Sequence, residues 1–415
     1  MNTLKWLPLI LVFTVGCSPQ DIPEGERLYN DVAYLASDDL EGRETGYAGE
    51  AKAGEFLAAR FADLGLESKG DSSYFQAFSF KPHPPVQKHG EGDTATLGMA
   101  IVKELTGRNV IGFLNNNKPT TIIIGAHYDH LGWGDMNSLH TGEKAIHNGA
   151  DDNASGVGAL LMIVERLQKY TNNNYLIMAF SGEEKGLYGS SYFCDHPTID
   201  LSTVNCMLNM DMVGRLNAER TLAVYGVGTS PSWVPMLESI DVDSISITTT
   251  ESGVGPSDHT SFYLEDLPVL HFFTGQHEDY HKPTDDVDKV NFDGIVSVVN
   301  YMEAVLAKID VAGRLEFTKT VDKDEDSTPS FNVTLGIMPD YMYSDPGFRI
   351  DGVQEGKTAN KAGLLKGDIV MKMDTLKVND IYDYMKGLSI YKSGDTTVFE
   401  IIRDGQTQLV DVVWD

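Results

Sequence analysis

Cysteine, basic residues and long apolar runs are all scarce in this chain of 415 residues. Its three cysteines include no CxxC pair, so we do not expect cysteine to bind metal. Lysine and arginine number 32 against 61 acidic residues, which gives a formal net charge of −29. A surface of that sign repels nucleic-acid phosphates, so we expect no nucleic-acid partner. Cys194 and Cys206 either pair in an oxidising compartment or remain two buried free thiols, because the sequence does not fix their geometry.

The start of the chain reads as a targeting segment. Residues 6–15 are apolar and follow Lys5, but they are too few to cross a bilayer as a stable helix, which needs about 20. The run Thr14-Val15-Gly16-Cys17 resembles the lipobox of bacterial lipoproteins, in which cleavage leaves a cysteine that carries lipid. The resemblance implies a signal peptide over 1–17 and lipidation at Cys17, with a lipid anchor in the bacterial cell envelope, facing the periplasm or the surface. An ordinary secretory signal with an incidental cysteine is the alternative.

The middle of the chain alternates between strand-like and helix-like segments. The length is too great for one ordinary core and favours two folded units. The predicted strands are 74–80, 121–125, 175–180, 204–209, 222–225 and 267–273; the predicted helices are 51–64, 156–170, one starting at 189–193, and 292–309. Such alternation predicts an α/β fold with a mostly parallel sheet sandwiched by helices. In such sheets, ligands gather at the carboxyl ends of the strands.

The composition changes near the end of the chain. We predict a linker over 314–330, because its run 322–327 is charged and has little to bury. Beyond it, 331–415 predicts a small β-rich unit, with strand-like stretches at 335–337, 348–350, 368–370 and 398–402. Asp404-Gly405 is a strong hairpin-turn signal before a last strand.

Five short segments carry the residues that can do chemistry, and three of them follow a strand-like run. They are His127-Tyr128-Asp129, Ala150-Asp151-Asp152-Asn153, Ser181-Gly182-Glu183-Glu184, Asn209-Met210-Asp211-Met212 and Tyr280-His281-Lys282-Pro283. Zinc prefers imidazole and carboxylate ligands when no thiolate is offered. Two zinc ions about 3.5–4 Å apart need a bridging carboxylate and terminal ligands on each ion. The five segments together therefore predict a hydrolase with two metal ions.

Roles can be divided among these residues. His127 and His281 can give one nitrogen to each ion, and Glu184 and Asp211 can each complete one. Asp129 can accept the second ring N–H of His127 and fix the imidazole. One member of the Asp151-Asp152 pair can bridge. Because adjacent side chains after a strand point apart, one glutamate of the 183–184 pair can bind metal while the other acts as general base.

Taken together, segments 125–132, 148–156, 180–184, 209–214 and 281–285 resemble the bacterial branch of the co-catalytic di-zinc aminopeptidase family. So does Leu40-Glu41-Gly42-Arg43-Glu44-Thr45-Gly46, and the resemblance covers about 31–309. It implies a zinc exopeptidase fold over 18–313 that binds two zinc ions. It also implies a set of roles: Asp152 as the bridge, His127 and Asp211 on one zinc, Glu184 and His281 on the other, and Glu183 as the catalytic base.

A further segment, Ser257-Asp258-His259, resembles one that lines the family's substrate pocket. It makes Asp258 and His259 candidates for substrate contact, with a structural role as the alternative. The unit 331–415 resembles a PDZ domain of the bacterial envelope type through Leu335-Gly336-Ile337 and the segments 359–364 and 365–370. That resemblance implies binding of a peptide or protein C-terminus as an added strand. Packing on the catalytic domain is the alternative.

Three hypotheses for function follow. The first is a zinc-dependent exopeptidase, an aminopeptidase that acts on peptides at the cell envelope. The second is a glutaminyl-cyclase-like acyltransferase, a related group that works with a single zinc. The third is a non-catalytic peptide-binding lipoprotein, which the presence of Glu183 and of all candidate ligands disfavours.

Overall fold

The computed structural model describes residues 22–81, 104–134, 137–320, 333–339, 343, 345–353, 356–379 and 381–414. These residues form two sheets, each with its own core of buried apolar side chains. We call the two parts that these sheets define the N-terminal unit and the C-terminal unit. The predicted signal peptide with Cys17, and the charged part of the predicted linker, lie outside the described residues.

The N-terminal unit alternates strands and helices, as predicted. Its strands are β1 (Glu67–Ser68), β2 (Phe75–Phe80), β3 (Leu105–Leu114), β4 (Thr121–His127), β5 (Asn174–Phe180), β6 (Val204–Met210), β7 (Thr221–Tyr225), β8 (Ser246–Thr250) and β9 (Val269–Phe273). Its helices are α1 (Glu24–Leu35), α2 (Ala48–Asp63), α3 (Gly156–Arg166), α4 (Tyr188–Asp195), α5 (Trp233–Glu238), α6 (His259–Tyr263) and α7 (Phe292–Ala312). None of the helices in the described part of the chain is long and apolar enough to cross a membrane.

The sheet is parallel at its centre and antiparallel towards both sides. Its strand order is β1-β3-β5-β4-β6-β9-β7-β8, with β2 also paired to β3. β5, β4, β6 and β9 run parallel to one another, whereas β3 is antiparallel to β5 and β7 is antiparallel to β9. The predicted α/β class is confirmed, and the whole sheet is mixed.

Helices cover both faces of the sheet because its central strands are apolar on both sides. β4 is buried along its whole length. Ile122 and Ile124 belong to the core on one face, and Ile123 belongs to the core on the other. This alternation follows from the two-residue repeat of a strand. α3 packs on β4 and on α7 at the first face, while α4 and α6 pack together at the second.

Several elements of this unit were not predicted, and α1 and β3 are the longest of them. α1 buries Leu28, Val32 and Leu35 on one face, but the segment is polar enough overall to resemble a loop. β3 carries two glycines and three polar residues, which mask its strand character, although it pairs with β1, β2 and β5. β3 is a strand because it lies between strands that it can hydrogen-bond to, and its own sequence does not indicate those partners.

The structure also bears on the two cysteines and on the predicted linker. Cys194 and Cys206 are both buried and both free, so the two thiols do not pair. The segment 314–320 lies against the N-terminal unit, since Leu315 joins its core and the N–H of Thr318 donates to the carbonyl of Thr229 at 2.9 Å. The first part of the predicted linker is therefore packed on this unit.

The C-terminal unit is β-rich, as predicted. Its elements are β10 (Ile337–Pro339), β11 (Phe348–Val353), α8 (Thr358–Ala362), β12 (Ile369–Met373), β13 (Leu376–Lys377), α9 (Ile381–Ile390), β14 (Thr396–Arg403) and β15 (Gln406–Val413). The strand order is β10-β11-β12-β14-β15, all antiparallel, with β13 paired to β12. The predicted Asp404-Gly405 turn joins β14 to β15.

Candidate metal centre

Three parallel strands end beside one another at a single edge of the N-terminal sheet. β4 ends at His127, β6 ends immediately before Asp211, and β5 ends shortly before Glu183. Because β5, β4 and β6 are neighbours in that order, their carboxyl ends bring these side chains together. The loop that precedes α3 brings Asp152 to the same edge, and the segment after β9 brings His281.

A first group of donor atoms comes from His127, Asp152 and Asp211. Their ligand atoms all lie within 4.8 Å of one another. Nε2 of His127 is 3.2 Å from Oδ1 of Asp211 and 3.4 Å from Oδ1 of Asp152. One imidazole and two carboxylates, held close together without a thiolate, fit the ligand preference of zinc.

A second group lies on the other side of Asp152. Nε2 of His281 is 3.3 Å from Oδ2 of Asp152 and 3.2 Å from Oε2 of Glu184. His130, which sequence reasoning missed, also takes part. Its Nδ1 is 2.6 Å from Oε1 of Glu184, and these two residues form a donor group with Asp152. The four side chains again fit zinc.

The two aspartates of the 151–152 pair do different work. Asp152 directs one carboxylate oxygen to each donor group, which is the arrangement that a bridging ligand requires. Asp151 is engaged elsewhere. Its Oδ1 accepts hydrogen bonds from the N–H of Gly214 at 2.6 Å and the hydroxyl of Ser155 at 2.9 Å, and its Oδ2 lies 3.1 Å from Nε2 of His277. The geometry therefore favours Asp152 as the bridge.

Hydrogen bonds from two sides fix the loop that carries Asp152. Asn153 binds the backbone on both sides of Asp211, since its Nδ2 donates to the preceding carbonyl and its Oδ1 accepts from the following N–H. From the opposite side, Oδ2 of Asp285 accepts the N–H groups of Asp151 and Asp152 at 2.9 and 3.0 Å. The Asp152–Asn153 peptide bond is cis. These contacts connect the bridge to β6 and to the segment that contains His281.

The two glutamates of the 183–184 pair are also divided. Burial alone would raise the pKa of Glu184, but His281 and His130 hold it at about 2, so this carboxylate is ionised and suited to bind metal. Burial raises the pKa of Glu183 well above its usual range, and the carboxylates of Asp211 and Glu184 add to the effect. Two neighbouring carboxylates whose pKa values are driven apart suit two different roles.

Asp129 links the first donor group to the proposed base. Nδ1 of His127 is 3.2 Å from the Asp129 carbonyl and 3.6 Å from its Oδ1. The same Oδ1 accepts the N–H of Glu183 at 3.2 Å, and Oδ2 accepts the hydroxyl of Thr45 at 2.7 Å. Both oxygens of this fully buried carboxylate are therefore occupied, and its position is fixed.

A solvent-open cleft of about 380 Å³ leads to the donor groups. Its lining is acidic and aromatic: Asp152, Glu183, Asp211, Met212, Pro256, His271, Phe273, Gln276, Tyr280 and His281. Glu183 therefore faces the cleft beside the bridge, while Glu184 faces His130 and His281.

The structure does not place Asp258 and His259, the candidates for substrate contact, among the residues that line this cleft. Both are fully buried. The pKa of Asp258 is raised to about 7, mainly by burial; nearby Asp129 and Asp211 contribute to the rise, while His127 opposes it. The ring of His259 stacks on that of His271 at 4.5 Å between centroids, so it supports a residue of the lining from behind.

Sequence reasoning missed several residues that shape the centre, namely His130, Thr45, Arg43, Asp285 and His271. His130, Thr45, Arg43 and Asp285 all stand within segments that carried the resemblance, so their presence was visible but their contacts were not. His271 stands inside β9, where a buried histidine looks like part of the core. The pairing of Asn209 with His271 places it on the strand next to β6, which leads to Asp211.

Comparison with known families divides the chain where the two sheets do. Residues 109–306 match the family described as Peptidase family M28, and residues 325–413 match the one described as PDZ domain. The chain carries an M28 peptidase domain. The metal centre belongs to that domain, and the second match confirms the predicted PDZ domain in the C-terminal unit.

Named relatives of the M28 domain include aminopeptidases. The aminopeptidase YwaD of Bacillus subtilis is 28% identical over 216 residues, which cover 48% of this chain and 43% of the relative. The chain thus spans less than half of that relative's length. A probable leucine aminopeptidase 2 of Aspergillus oryzae is 25% identical over 294 residues, 64% of this chain and 55% of the relative.

Solved structures share the fold of the M28 domain. A zinc aminopeptidase from Bacillus subtilis superposes with a TM-score of 0.53 at 17% identity, over 72% of this chain and 96% of that one. A glutaminyl cyclase from Bacteroides thetaiotaomicron gives a TM-score of 0.51 at 17% identity, over 68% and 97%. At such identities the likeness concerns the fold alone, which is shared by both kinds of enzyme.

Proposed function

We propose that the chain is a zinc-dependent exopeptidase, an aminopeptidase that removes N-terminal residues from peptides. One observation carries the proposal: the two carboxylate oxygens of Asp152 face two separate donor groups, each with an imidazole and a further carboxylate. That arrangement fits two zinc ions: His127, Asp152 and Asp211 would hold one, and Asp152, Glu184 and His281 would hold the other. When bound, zinc supplies Lewis acidity that polarises a carbonyl and acidifies water.

The residues of the chain supply the proton transfer. Glu183 faces the cleft beside Asp152 and Asp211 and has a pKa raised by burial, so it can take a proton from water and return it to the leaving amine. Asp129 accepts the backbone N–H of Glu183 and lies against the ring of His127. It therefore fixes the proposed base and the proposed ligand relative to each other.

The cleft favours the N-terminus of a peptide over its C-terminus. Among the described residues that line it there is no lysine or arginine to pair with a terminal carboxylate, whereas Glu183, which is not assigned to zinc, offers a carboxyl group to a terminal ammonium. Met212 and Phe273 contribute apolar surface. We therefore expect an uncharged, apolar first residue to be released most readily.

A digest of a peptide library, read by mass spectrometry with and without a chelator, tests this function. We expect trimming from the N-terminus that stops when metal is removed. Trimming from the C-terminus, or activity that survives full removal of metal, would contradict it. Cyclisation of an N-terminal glutamine with about one zinc per active chain would favour the glutaminyl-cyclase-like alternative, whose fold this domain shares.

For the PDZ domain we propose a peptide or a protein C-terminus as ligand. β10 is an edge strand of the sheet, and an extended peptide can add to such an edge through main-chain hydrogen bonds. The hydrogen-bonding capacity of an edge gives affinity without fixing the ligand's side chains.

We also propose that the chain is held at the cell envelope by lipid on Cys17, as its lipobox-like run suggests. Cys17→Ser should release the protein from the membrane fraction and leave peptide hydrolysis in solution unchanged. Fractionation and immunoblotting of cells that express either form provide the measurement. Continued membrane association of the variant would argue against the lipid anchor.

A further inference from the structure

The segment 40–46 lies under the metal centre in an unusual backbone conformation. Glu41, Gly42 and Arg43 all have positive φ angles, of 48°, 69° and 50°. At Gly42, an added Cβ would stand 2.5 Å from the carbonyl oxygens of Gly132 and His147, so no side chain fits there. Strained backbone of this kind persists only where its surroundings determine it, and it clusters at functional sites.

Arg43 is 1% exposed, and its guanidinium donates hydrogen bonds to backbone carbonyls. Nε donates to Tyr128 at 2.7 Å, Nη1 donates to Asn148 at 2.6 Å, and Nη2 donates to Gly149 at 3.0 Å. Nη1 also donates to the carbonyl of Leu35 at the end of α1. One planar group therefore connects the loop that follows His127 to the loop that leads to Asp152.

The positive charge of Arg43 is balanced by the carboxylates of the metal centre. Burial lowers the pKa of Arg43 to about 10, which leaves it a cation at neutral pH, and the carboxylates of Asp152, Asp129, Asp285 and Glu184 oppose the shift. A buried cation without carboxylate contact is costly unless its surroundings compensate. Here the compensation comes from the same carboxylates that form the donor groups and their supports.

The rest of the segment acts on the same loop. The carbonyl of Arg43 accepts the N–H of His130 at 3.2 Å, and Thr45 donates to Asp129. Glu44 pairs with Lys185 at 3.0 Å, next to Glu184. The stretch from Arg43 to Thr45 thus reaches both donor groups from behind.

We propose that Arg43 is a positioning residue of the metal centre, whose guanidinium fixes the backbones of the two ligand loops, 127–130 and 148–152, at the spacing that two bound zinc ions need. The inference rests on the proposed function, because it takes zinc as the ligand. Arg43 contacts neither metal nor substrate. It acts through Tyr128, Asn148 and Gly149, whose carbonyls it holds.

Zinc titration of the full chain after chelation, followed by calorimetry and by metal analysis, tests this role. Arg43→Gln should weaken zinc binding by about 10–100-fold, the usual effect of losing a partner behind the ligands. Arg43→Lys keeps the charge but cannot reproduce the planar fork, so zinc binding should also be weaker than in the wild type. In both variants the rise in melting temperature on adding zinc should shrink.

Arg60→Gln is the matched control. Arg60 is also largely buried, but it binds the carboxylate of Asp31 through Nε and Nη2 at 2.9 and 2.8 Å. Its loss should lower the melting temperature of the apo and zinc-loaded forms alike and leave zinc affinity unchanged.

The outcomes separate two kinds of failure. Wild-type zinc affinity in Arg43→Lys, or tighter zinc binding in Arg43→Gln, would mean that only the charge matters and would overturn the positioning role. A folded wild-type chain that binds no zinc would overturn the proposed function itself, and this inference with it. If Arg43→Gln does not fold, the lysine variant still decides.

Discussion

The two units bury charge in opposite ways. In the C-terminal unit, Asp368 alone is charged and buried among the residues whose burial is described, and it is fully satisfied. Arg403 donates to both of its oxygens at 2.6 and 2.5 Å, and the N–H of Leu365 donates at 2.8 Å. The N-terminal unit buries many more charges around its metal centre: Arg43, Asp129, Asp151, Asp152, Glu184, Asp258 and Asp285.

The buried charge of the C-terminal unit stabilises the fold, whereas those of the N-terminal unit suit metal binding and catalysis. Buried charges are usually paired, because removing an ion from water is costly. Asp368 follows that rule. Around the metal centre, carboxylates face one another and histidines, and Asp152 lies between His127 and His281. A bound cation would balance buried carboxylates that the protein leaves without a cationic partner. The buried charges of the N-terminal unit therefore point to a bound metal.

Substitution of Glu183 should have the largest effect. Glu183→Gln should retain zinc but lose about 10²–10⁴-fold in turnover, because the base is gone while the ligands remain. Glu184→Gln, its neighbour, should lose zinc affinity as well. Steady-state kinetics together with metal analysis of both variants provide the test. Hydrolysis near the wild-type rate in Glu183→Gln would remove it from the mechanism.

Substitution of Asp285 should have an intermediate effect. Asp285→Ala removes the carboxylate that holds the N–H groups of Asp151 and Asp152, so zinc binding should weaken by about 10–100-fold. Asp310 is the control. It is buried in the same unit, but it accepts the N–H of Asn172, which is not part of a ligand loop.

Asp310→Ala should lower stability without changing zinc affinity, as measured by competition with a chromogenic chelator. Equal losses of zinc affinity in the two alanine variants would show that buried carboxylates of this unit are alike, and the distinction drawn above would fail.

Substitution in the PDZ domain should have the smallest effect on catalysis. Asp368→Ala should destabilise the C-terminal unit by about 1.5–3 kcal/mol, because charge-assisted hydrogen bonds are lost. Glu400→Gln, which breaks a half-buried pair with Lys372, should cost less than about 1 kcal/mol. Chemical denaturation measures both. Release of a short peptide's first residue should be unchanged in each variant, and a loss there would connect the two units functionally.

Much of the fold was predictable because hydrophobic pattern determines it locally. The strands β4, β5 and β6 are mainly apolar and are buried throughout, so their existence and the position of the site after them follow from the sequence. The missed strand β3 depends on partners far along the chain. Its pairing with β5 cannot be deduced from its own residues, which include Gly107 and Gly112.

The candidate site was predictable in its members but less so in its supports. His127, Asp152, Glu184, Asp211 and His281 all reach the centre. A charged residue such as Arg43 is normally exposed, so nothing in the sequence signals that it is buried against carbonyls. His130 was masked by its position, since it follows a histidine and an aspartate that already explained the segment.

The position of β9 has a consequence for how this protein is made. This strand comes last in the sequence of its sheet, yet it lies between β6 and β7. β7 and β8 therefore cannot join the sheet until the ribosome has produced β9, and His281 emerges only after it. A nascent chain that ends earlier lacks both a continuous sheet and one of the histidines at the centre. We therefore expect zinc to bind only after the chain has been made as far as His281, the last of the proposed ligands in the sequence.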